Sequence, residues 1–244
     1  MGFGKIIGMK IDILTLFPKM FVGPFNESIV KRAQKGGLVK IKIHNLRKWT
    51  ADKHKTVDDR PFGGGVGMIL KCEPVFRAVE ELKTKNESRT KTVLLTPQGQ
   101  LLTQKIANEL GRMKQLILVC GHYEGIDERI RRYLVDQEIS IGDYVLTGGE
   151  LPAMVLVDSV VRLIPGVLKK NQATTHESFQ KLKVGGKTKR LLEYPQYTRP
   201  ANFRGHRVPK ILLSGDHKRI NDWQLKQALL KTKKRRSDLL LKNS

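Results

Sequence analysis

The sequence predicts an α/β fold with a mostly parallel sheet that is covered by helices on both faces. Short β-rich runs alternate with runs of helical period from Lys10 to about Ile164. Glycine-bearing loops follow or end several of the β-rich runs. Alternation of this kind is typical of parallel sheets, because consecutive parallel strands need a crossover connection, which is usually a helix.

Ten runs define the expected elements in chain order. The strand-like runs are IDILTLF (11–17), VKIKIHNL (39–46), KTVLLT (91–96), QLILVCG (115–121) and ISIGDYVL (139–146). The helix-like runs are ESIVKRAQ (27–34), EPVFRAVEELK (73–83), TQKIANELG (103–111), IDERIRRYLV (126–135) and ELPAMVLVDSVVRLI (150–164). The polar, glycine-rich segment 47–68 is longer than a structural connection requires, so it is predicted to be functional or disordered.

Composition along the chain predicts two domains joined by a linker. The first domain covers residues 1–168, and residues 1–8 are interpreted as an extension or an upstream start, because the first strand-like run begins after Met9. Residues 169–189 are rich in Lys, Gly, Thr and Gln, which predicts a flexible linker. Residues 190–244 predict a small, mainly helical domain; from Ala201 to Ser244, 12 Lys and Arg face 3 Asp and Glu. This excess favours contact with RNA or DNA, and the alternative for its cluster KTKKRR is a solvated helix face.

The whole chain is strongly basic, with 46 Lys and Arg against 23 Asp and Glu and a net charge of +23. A charge of this size indicates a polyanionic partner, and nucleic acid is the first candidate. The sequence contains no run of ~18 apolar residues and no clear basic amphipathic anchor, so no membrane association is expected. Only two cysteines occur, Cys72 and Cys120, without metal-ligand spacing, which favours a reduced cytoplasmic compartment.

Two glycine patterns do not predict nucleotide binding. GFGKIIG precedes the first strand instead of following one, as a dinucleotide-binding fingerprint would. GGKT at 185–188 lacks both a preceding strand and the first glycine of a phosphate loop, because Lys181 occupies that position.

Three other glycine-bearing segments are predicted to meet at one edge of the sheet. They are LLTPQG (94–99), CGHYEGIDERI (120–130) and SIGDYVLTGGELPA (140–153). Ligands of open α/β sheets bind outside the carboxyl ends of the strands, so the three loops are expected to form one pocket. The alternative is that the glycines only allow tight strand-to-helix turns.

These segments, together with DDRPFGGGVGM, RLIPGVL and LLEYPQYTRP, closely resemble the bacterial tRNA (guanine-N1)-methyltransferases from Met9 to about Trp223. The resemblance implies a deep trefoil-knotted domain of the SPOUT class, a homodimer and a small helical C-terminal domain that binds tRNA. It also implies S-adenosylmethionine as the methyl donor, with Mg²⁺ as an additional requirement. Periodicity does not predict the knot, since unknotted connections are the general rule.

The resemblance also implies which residues hold the methyl donor. Glu124 is expected to hold the amino group or the sulfonium side of the donor or to recruit Mg²⁺; the alternative is an acid that stabilises a helix N-terminus. Leu94 replaces an aromatic residue of some relatives, so one edge of the pocket is expected to pack differently. The full expected set is Leu94, Leu95, Thr96, Pro97, Gly121, Glu124, Ile126, Tyr144, Leu146, Gly148, Gly149 and Pro152.

Glu177, in the segment QATTHESFQKL, is the expected general base. Methylation of a guanine ring nitrogen requires loss of its proton, and the resembling family uses an acid, often aspartate, in the matching motif. His176 is the second candidate for the base. Arg162 is expected to stabilise charge on the guanine oxygen, or alternatively to compensate a helix dipole. Ser178 is expected to position the purine.

Other substrate contacts are expected in two segments. In DDRPFGGGVGM, Asp59 and Arg60 are expected to contact bases or phosphates, or else to form a surface pair; Val66 replaces a frequent proline. In YTRP, Tyr197 and Arg199 are expected to stack on bases and bind phosphate, or else to cap the small domain.

The function expected from the resemblance is methylation of N1 of the guanosine immediately 3′ of the tRNA anticodon. Two alternatives stay open at this point. One is a non-catalytic RNA-binding or ribosome-associated protein, and the other is a SPOUT methyltransferase that acts on ribosomal RNA.

Overall fold

The computed structural model describes residues 8–83, 88–168, 177–184 and 186–241. The chain divides into two compact units, with the boundary after Lys169. Each unit is described separately below.

The first unit alternates strands and helices. Single 3₁₀ turns lie at Pro18–Phe21, Pro24–Asn26 and Leu46–Trp49. The other elements are β1 (Met9–Thr15), α1 (Ser28–Lys35), β2 (Val39–Asn45), β3 (Asp58–Asp59), β4 (Ile69–Leu70), α2 (Cys72–Leu82), β5 (Thr90–Leu101), α3 (Gln104–Leu110), β6 (Gln115–Cys120), α4 (Glu128–Tyr133), β7 (Gln137–Ser140) and α5 (Glu150–Val161).

Five strands form one parallel sheet in the order β2-β1-β6-β5-β7, and β3 pairs with β4 in a separate short ribbon. All six residues of β6 are buried, as expected for an apolar run in the middle of a sheet that is covered on both faces. The helices α1, α3 and α5 contribute to the core on one face, and α2 and α4 contribute to the core on the other. The prediction of a mostly parallel α/β sheet is therefore confirmed.

Two strand boundaries differ from the prediction. β7 ends at Ser140, whereas the β-rich run was expected to continue to Leu146. β5 continues to Leu101 beyond an irregularity, because Gln100 and Leu101 pair with β7. Gly99 allows this approach, since a Cβ there would lie 2.4 Å from the Ile139 nitrogen.

The second unit contains β8 (Gln180–Val184), β9 (Lys187–Leu191), β10 (Asn202–Phe203), β11 (His206–Arg207), a 3₁₀ turn (Lys210–Leu213), α6 (His217–Arg235) and α7 (Asp238–Leu241). Thr232 of α6 is buried: its hydroxyl donates to the Ala228 carbonyl at 2.7 Å and accepts from the Leu192 amide at 2.8 Å. This pair of hydrogen bonds joins the helix to the chain that follows β9.

The antiparallel hairpin β8–β9 includes residues that composition predicted to belong to a flexible linker. Val184 pairs with Lys187, which leaves a two-residue loop, and Gly186 in that loop has φ +76°. A Gly-Gly pair is one of the two-residue loops that signal a hairpin, and Leu182 and Val184 alternate before it, although polar residues follow it. The first part of the expected linker, residues 169–176, lies outside the described residues.

No helix in the described ranges is both long enough and apolar enough to cross a membrane.

Candidate active site

A cleft lies at the carboxyl ends of β5, β6 and β7, where the three predicted loops meet. The structure brings all twelve residues expected at the methyl donor to the lining of this one cleft. Backbone and apolar groups form much of its wall, which suits recognition of a nucleoside through main-chain donors and acceptors. Among its lining residues, Tyr144 is 53% exposed and Leu94 is fully buried.

The glycines at this edge allow the loops to pack against each other. The Gly149 amide donates to the Gly121 carbonyl at 2.8 Å, and a Cβ on Gly149 would lie 2.6 Å from the Cys120 Cα. A Cβ on Gly121 would meet only ordinary contacts, the nearest at 3.4 Å from the Leu95 carbonyl oxygen. Glycine at 149 is thus required by the protein itself, beyond the access to a ligand that the sequence suggested.

The predicted substrate loop borders the cleft. The Leu70 amide donates to the Gly125 carbonyl and the Glu124 amide donates to the Met68 carbonyl, both at 3.0 Å. Gly67, at φ +85°, lies so close to Glu124 that a Cβ there would be 2.5 Å from the Glu124 Cγ. The loop 58–70 is therefore held directly against the segment that carries Glu124.

Asp59 and Arg60 are exposed at the start of this loop, where β3 pairs with β4. The Asp59 carboxylate accepts a hydrogen bond from the Arg60 amide at 2.8 Å, so it supports the backbone of the turn. Arg60 itself is exposed.

Glu124 does not cap the following helix. Asp127 is the N-cap of α4 and accepts from the Arg129 amide at 2.9 Å, while Glu124 is exposed three residues before it. The Arg129 side chain holds the pKa of Asp127 below its usual value. Asp127, and not Glu124, is therefore the residue that caps α4.

The structure adds residues to the site that sequence reasoning did not select. The His122 ring lies between Phe17 and Tyr123, at ring-centroid distances of 4.8 Å each, and Tyr123 has φ +60°. Arg131 also lines the cleft, where it pairs with Glu138. His122 lies between two selected residues in GHYEG, so its position in the motif was a usable signal.

Arg162 does not line the cleft of its own chain. It is the C-cap of α5, whereas the cleft contacts the N-terminus of that helix. Twelve helical residues at about 1.5 Å per residue separate the two ends by about 18 Å. The structure therefore does not bring Arg162 to the cleft of its own chain, and its expected contact with the guanine stays a prediction.

The other predicted substrate residues belong to the second unit. Glu177 is half-buried, and its carbonyl accepts from the Gln180 amide at 3.3 Å. The Ser178 hydroxyl accepts from the Glu193 amide at 3.1 Å. Tyr197 is 50% exposed, and Arg199 is exposed before a cis peptide bond to Pro200. His176, the second candidate for the base, lies outside the described residues.

Within the described part of the chain, no group of three or more His, Cys, Asp or Glu side chains is arranged to hold a metal ion. The described residues therefore do not fit a Mg²⁺ ion that is held by protein ligands alone.

Comparison with known proteins gives a consistent result. The family model described as tRNA (Guanine-1)-methyltransferase TrmD matches residues 9–242. A tRNA (guanine-N(1)-)-methyltransferase of Dictyoglomus turgidum is 56% identical over 236 residues, which cover 97% of this chain and 91% of the relative. That of Carboxydothermus hydrogenoformans is 54% identical over 232 residues, covering 95% and 87%. That of Anoxybacillus flavithermus is 54% identical over 232 residues, covering 95% and 91%.

The match extends over nearly the whole chain and includes the segments that form the cleft. The chain therefore belongs to the tRNA (guanine-1)-methyltransferase family.

Proposed function

We propose that this protein transfers a methyl group from S-adenosylmethionine to N1 of the guanosine immediately 3′ of a tRNA anticodon. The names of its relatives support the reaction. The observation that carries the proposal is the cleft at the ends of β5, β6 and β7, where the twelve expected donor-binding residues meet.

The residues of the cleft fit the methyl donor. Gly121 and Gly148 expose main-chain groups, and Ile126 and Pro152 supply apolar wall. His122 offers a buried ring nitrogen that has no hydrogen-bond partner among the described residues. When bound, adenosylmethionine supplies an electrophilic methyl group on a sulfonium.

Glu177 is the proposed general base. The N1 nitrogen of guanine carries a proton that must leave as the new bond forms, and a carboxylate is a suitable acceptor. Ser178 follows it, and its hydroxyl already accepts the Glu193 amide, which fixes the chain beside the proposed base.

Arg162 is the proposed group that stabilises negative charge on the guanine oxygen. Because it is about 18 Å from the cleft of its own chain along α5, we propose that a homodimer brings it to the cleft of the second copy. Exposed apolar side chains on the first unit support such an interface: Leu151 and Val155 on α5 are 49% and 46% exposed, and Val145 beside the cleft is 85% exposed.

The C-terminal part of the second unit, residues 190–244, is the proposed principal tRNA-binding domain. Its helix α6 ends in the exposed cations Lys233, Lys234 and Arg235. Asp59, Arg60, Tyr197 and Arg199 are the proposed further contacts with the RNA.

The family resemblance supports a trefoil knot in the first unit and a cytoplasmic location, and we include both in the proposal. Close backbone contacts at Gly99 and Gly149 are compatible with a tightly threaded chain. Mg²⁺ remains part of the proposal only as an ion brought by the substrate, and no step of the reaction is assigned to it.

Methyl transfer from labelled adenosylmethionine to a tRNA transcript tests the function. The transcript carries guanosine at the last anticodon position and at the next position, and a transcript altered at the target guanosine is the control. We expect the wild-type protein to methylate only the intact transcript.

Glu177→Gln and Glu177→Asp test the base in the same assay. Gln is expected to lower turnover by at least a hundredfold without weakening donor binding, whereas Asp is expected to retain activity. Full activity of the Glu177→Gln variant would show that another group accepts the N1 proton, and His176 is the next candidate. No transfer by the wild-type protein, despite RNA binding, would favour a non-catalytic RNA-binding protein.

A further inference from the structure

Glu150 is a buried carboxylate directly behind the wall of the cleft. It is the first residue of α5 and is only 2% exposed. Its Oε1 accepts a hydrogen bond of 2.6 Å from the Thr15 hydroxyl at the end of β1. The Thr15 oxygen in turn accepts from the Phe17 amide at 2.8 Å, so its own proton is directed to Glu150.

This carboxylate has no cationic partner in the described part of the protein. No Lys, Arg or His nitrogen described there lies within 4.0 Å of it, and the Thr15 hydroxyl is its one hydrogen-bond donor. Burial of a carboxylate is costly unless a cation or several donors compensate it. The N-terminus of α5 compensates part of the charge, but Oε2 receives no hydrogen bond from the described residues.

The uncompensated oxygen faces the cleft wall at Gly148. A Cβ on Gly148 would lie 2.4 Å from the Glu150 Oε2, 2.9 Å from the His122 Nδ1 and 3.5 Å from the Gly121 carbonyl oxygen. The His122 Nδ1 is also buried and unpartnered within the described ranges, and it is an acceptor when the ring proton is on Nε2. Two acceptor atoms without a described donor, Glu150 Oε2 and His122 Nδ1, therefore converge on one point of the wall, beside the Gly121 carbonyl that accepts from the Gly149 amide.

The negative charge of Glu150 also affects its buried neighbour Cys120. Burial, and then the charge of Glu150, raise the pKa of the Cys120 thiol well above its usual value. Cys120 therefore stays a neutral thiol and adds no second anion to this part of the wall.

We propose that Glu150 makes the cleft selective for a cationic methyl donor over its neutral by-product. Adenosylmethionine carries a positive sulfonium. On transfer, the methyl carbon would bond to guanine N1, whose proton leaves to the proposed base, and the bond between sulfur and methyl would break with its electron pair left on sulfur. The by-product is then a neutral thioether. The attraction between Glu150 and the ligand is then lost, which favours exchange of the by-product for fresh donor. The inference rests on the proposed function, in which this cleft binds the methyl donor.

Glu150→Gln tests the proposal, because it removes the charge and keeps the size of the side chain. Dissociation constants are measured by calorimetry, without tRNA, for three ligands: adenosylmethionine, adenosylhomocysteine, and the analogue in which a protonated amine replaces the sulfonium. The affinity for adenosylmethionine and for the amine analogue, which both carry a positive charge at the sulfonium position, is expected to fall about tenfold. This is the size of effect expected for loss of a charge pair at intermediate dielectric. Affinity for adenosylhomocysteine is expected to change by less than about twofold.

Thr15→Val is the matched control, because it removes the hydrogen bond and leaves the charge. It is expected to keep the preference for the cationic ligands. An equal loss of affinity for all three ligands in Glu150→Gln would show a purely structural role and overturn the proposal. Loss of the preference in Thr15→Val alone would overturn it as well.

Two further outcomes separate the inference from the function on which it rests. A wild-type protein that binds none of the three ligands would contradict the assignment of the cleft itself. A wild-type protein that binds the neutral thioether more tightly than the amine analogue would overturn the role of Glu150 while the assignment stands. The comparison of the thioether with the amine analogue uses only the wild-type protein, so it applies even if Glu150→Gln does not fold.

Discussion

Among the glycines that line the cleft, Gly149 is the one at which an added Cβ would lie closest to another backbone atom. A methyl group there would lie 2.6 Å from the Cys120 Cα and 2.8 Å from the Gly121 nitrogen. Because both atoms belong to the backbone at the end of the buried strand β6, neither can move without a shift of the sheet edge.

Gly149→Ala is therefore expected to lower the free energy of unfolding by about 1–3 kcal/mol, the range for overpacked sites. It is also expected to weaken binding of the methyl donor. Chemical denaturation of the ligand-free protein measures the first effect and calorimetry measures the second. Gly121→Ala is the control for stability, since its Cβ would meet only ordinary contacts. Equal stability of the two variants would show that the loops at Gly149 can adjust.

At the scale of elements, Asp12 connects the three strands β1, β2 and β6. It is fully buried and lies 2.9 Å from the His44 Nε2, 2.8 Å from the Gln115 Nε2 and 2.9 Å from the Lys10 Nζ. Burial by itself raises the pKa of this carboxyl, but the contacts with His44, Lys10 and Gln115 outweigh burial and lower it. The charged form is therefore the one that the fold stabilises.

Asp12→Asn is expected to destabilise the protein by about 3 kcal/mol at neutral pH, because it leaves buried partners without their anion. A carboxyl whose pKa is lower in the folded state contributes stability above its unfolded pKa, and this contribution is lost as the pH falls through the folded pKa. The difference in the free energy of unfolding between wild type and Asp12→Asn should therefore become smaller below about pH 3.8.

Denaturant unfolding at several pH values measures this difference. Asp52→Asn serves as the control for an exposed carboxylate, since the hydrogen bonds that the Asp52 carboxylate accepts from the described residues come from Thr56. A difference between wild type and Asp12→Asn that stays constant down to pH 2 would contradict the assigned role of the charge.

For the whole molecule, the net charge of +23 governs the encounter with tRNA. Binding of nucleic acid by cations releases condensed counterions, so the affinity falls with salt in proportion to the number of phosphate contacts. The exposed end of α6 carries three adjacent cations, which we propose as one place for such contacts.

Replacing Lys233, Lys234 and Arg235 with Gln is expected to reduce the slope of log affinity against log salt by about 0.7–0.9 for each lost contact. Filter binding of tRNA at several salt concentrations gives this slope. The control carries Gln at Lys105, Arg112 and Lys114, which are exposed cations around α3 in the first unit. The same loss of slope in both variants would indicate diffuse attraction instead of a defined RNA-binding surface.

Local patterns predicted much of the first unit. The helix-like run 73–83 corresponds to α2 at Cys72–Leu82, and QLILVCG corresponds to β6, because apolar period and short-range capping depend on near neighbours. Prediction of strands was less accurate where a strand pairs with a segment that is distant in the sequence. The end of β5 is a strand because β7 lies beside it, and the β8–β9 hairpin was missed when charge and glycine content were read as a linker.

The sequence by itself determined the α/β class, the basic character and twelve of the residues that line the cleft, because these follow from local periodicity, composition and motifs that resemble a known family. Only the tertiary structure decided how the site is built. It placed Gly67 against Glu124, put Arg162 at the far end of α5, and brought Thr15 to Glu150 across 135 positions of sequence. These contacts depend on which loops meet at the sheet edge, and no local pattern of residues encodes such a meeting.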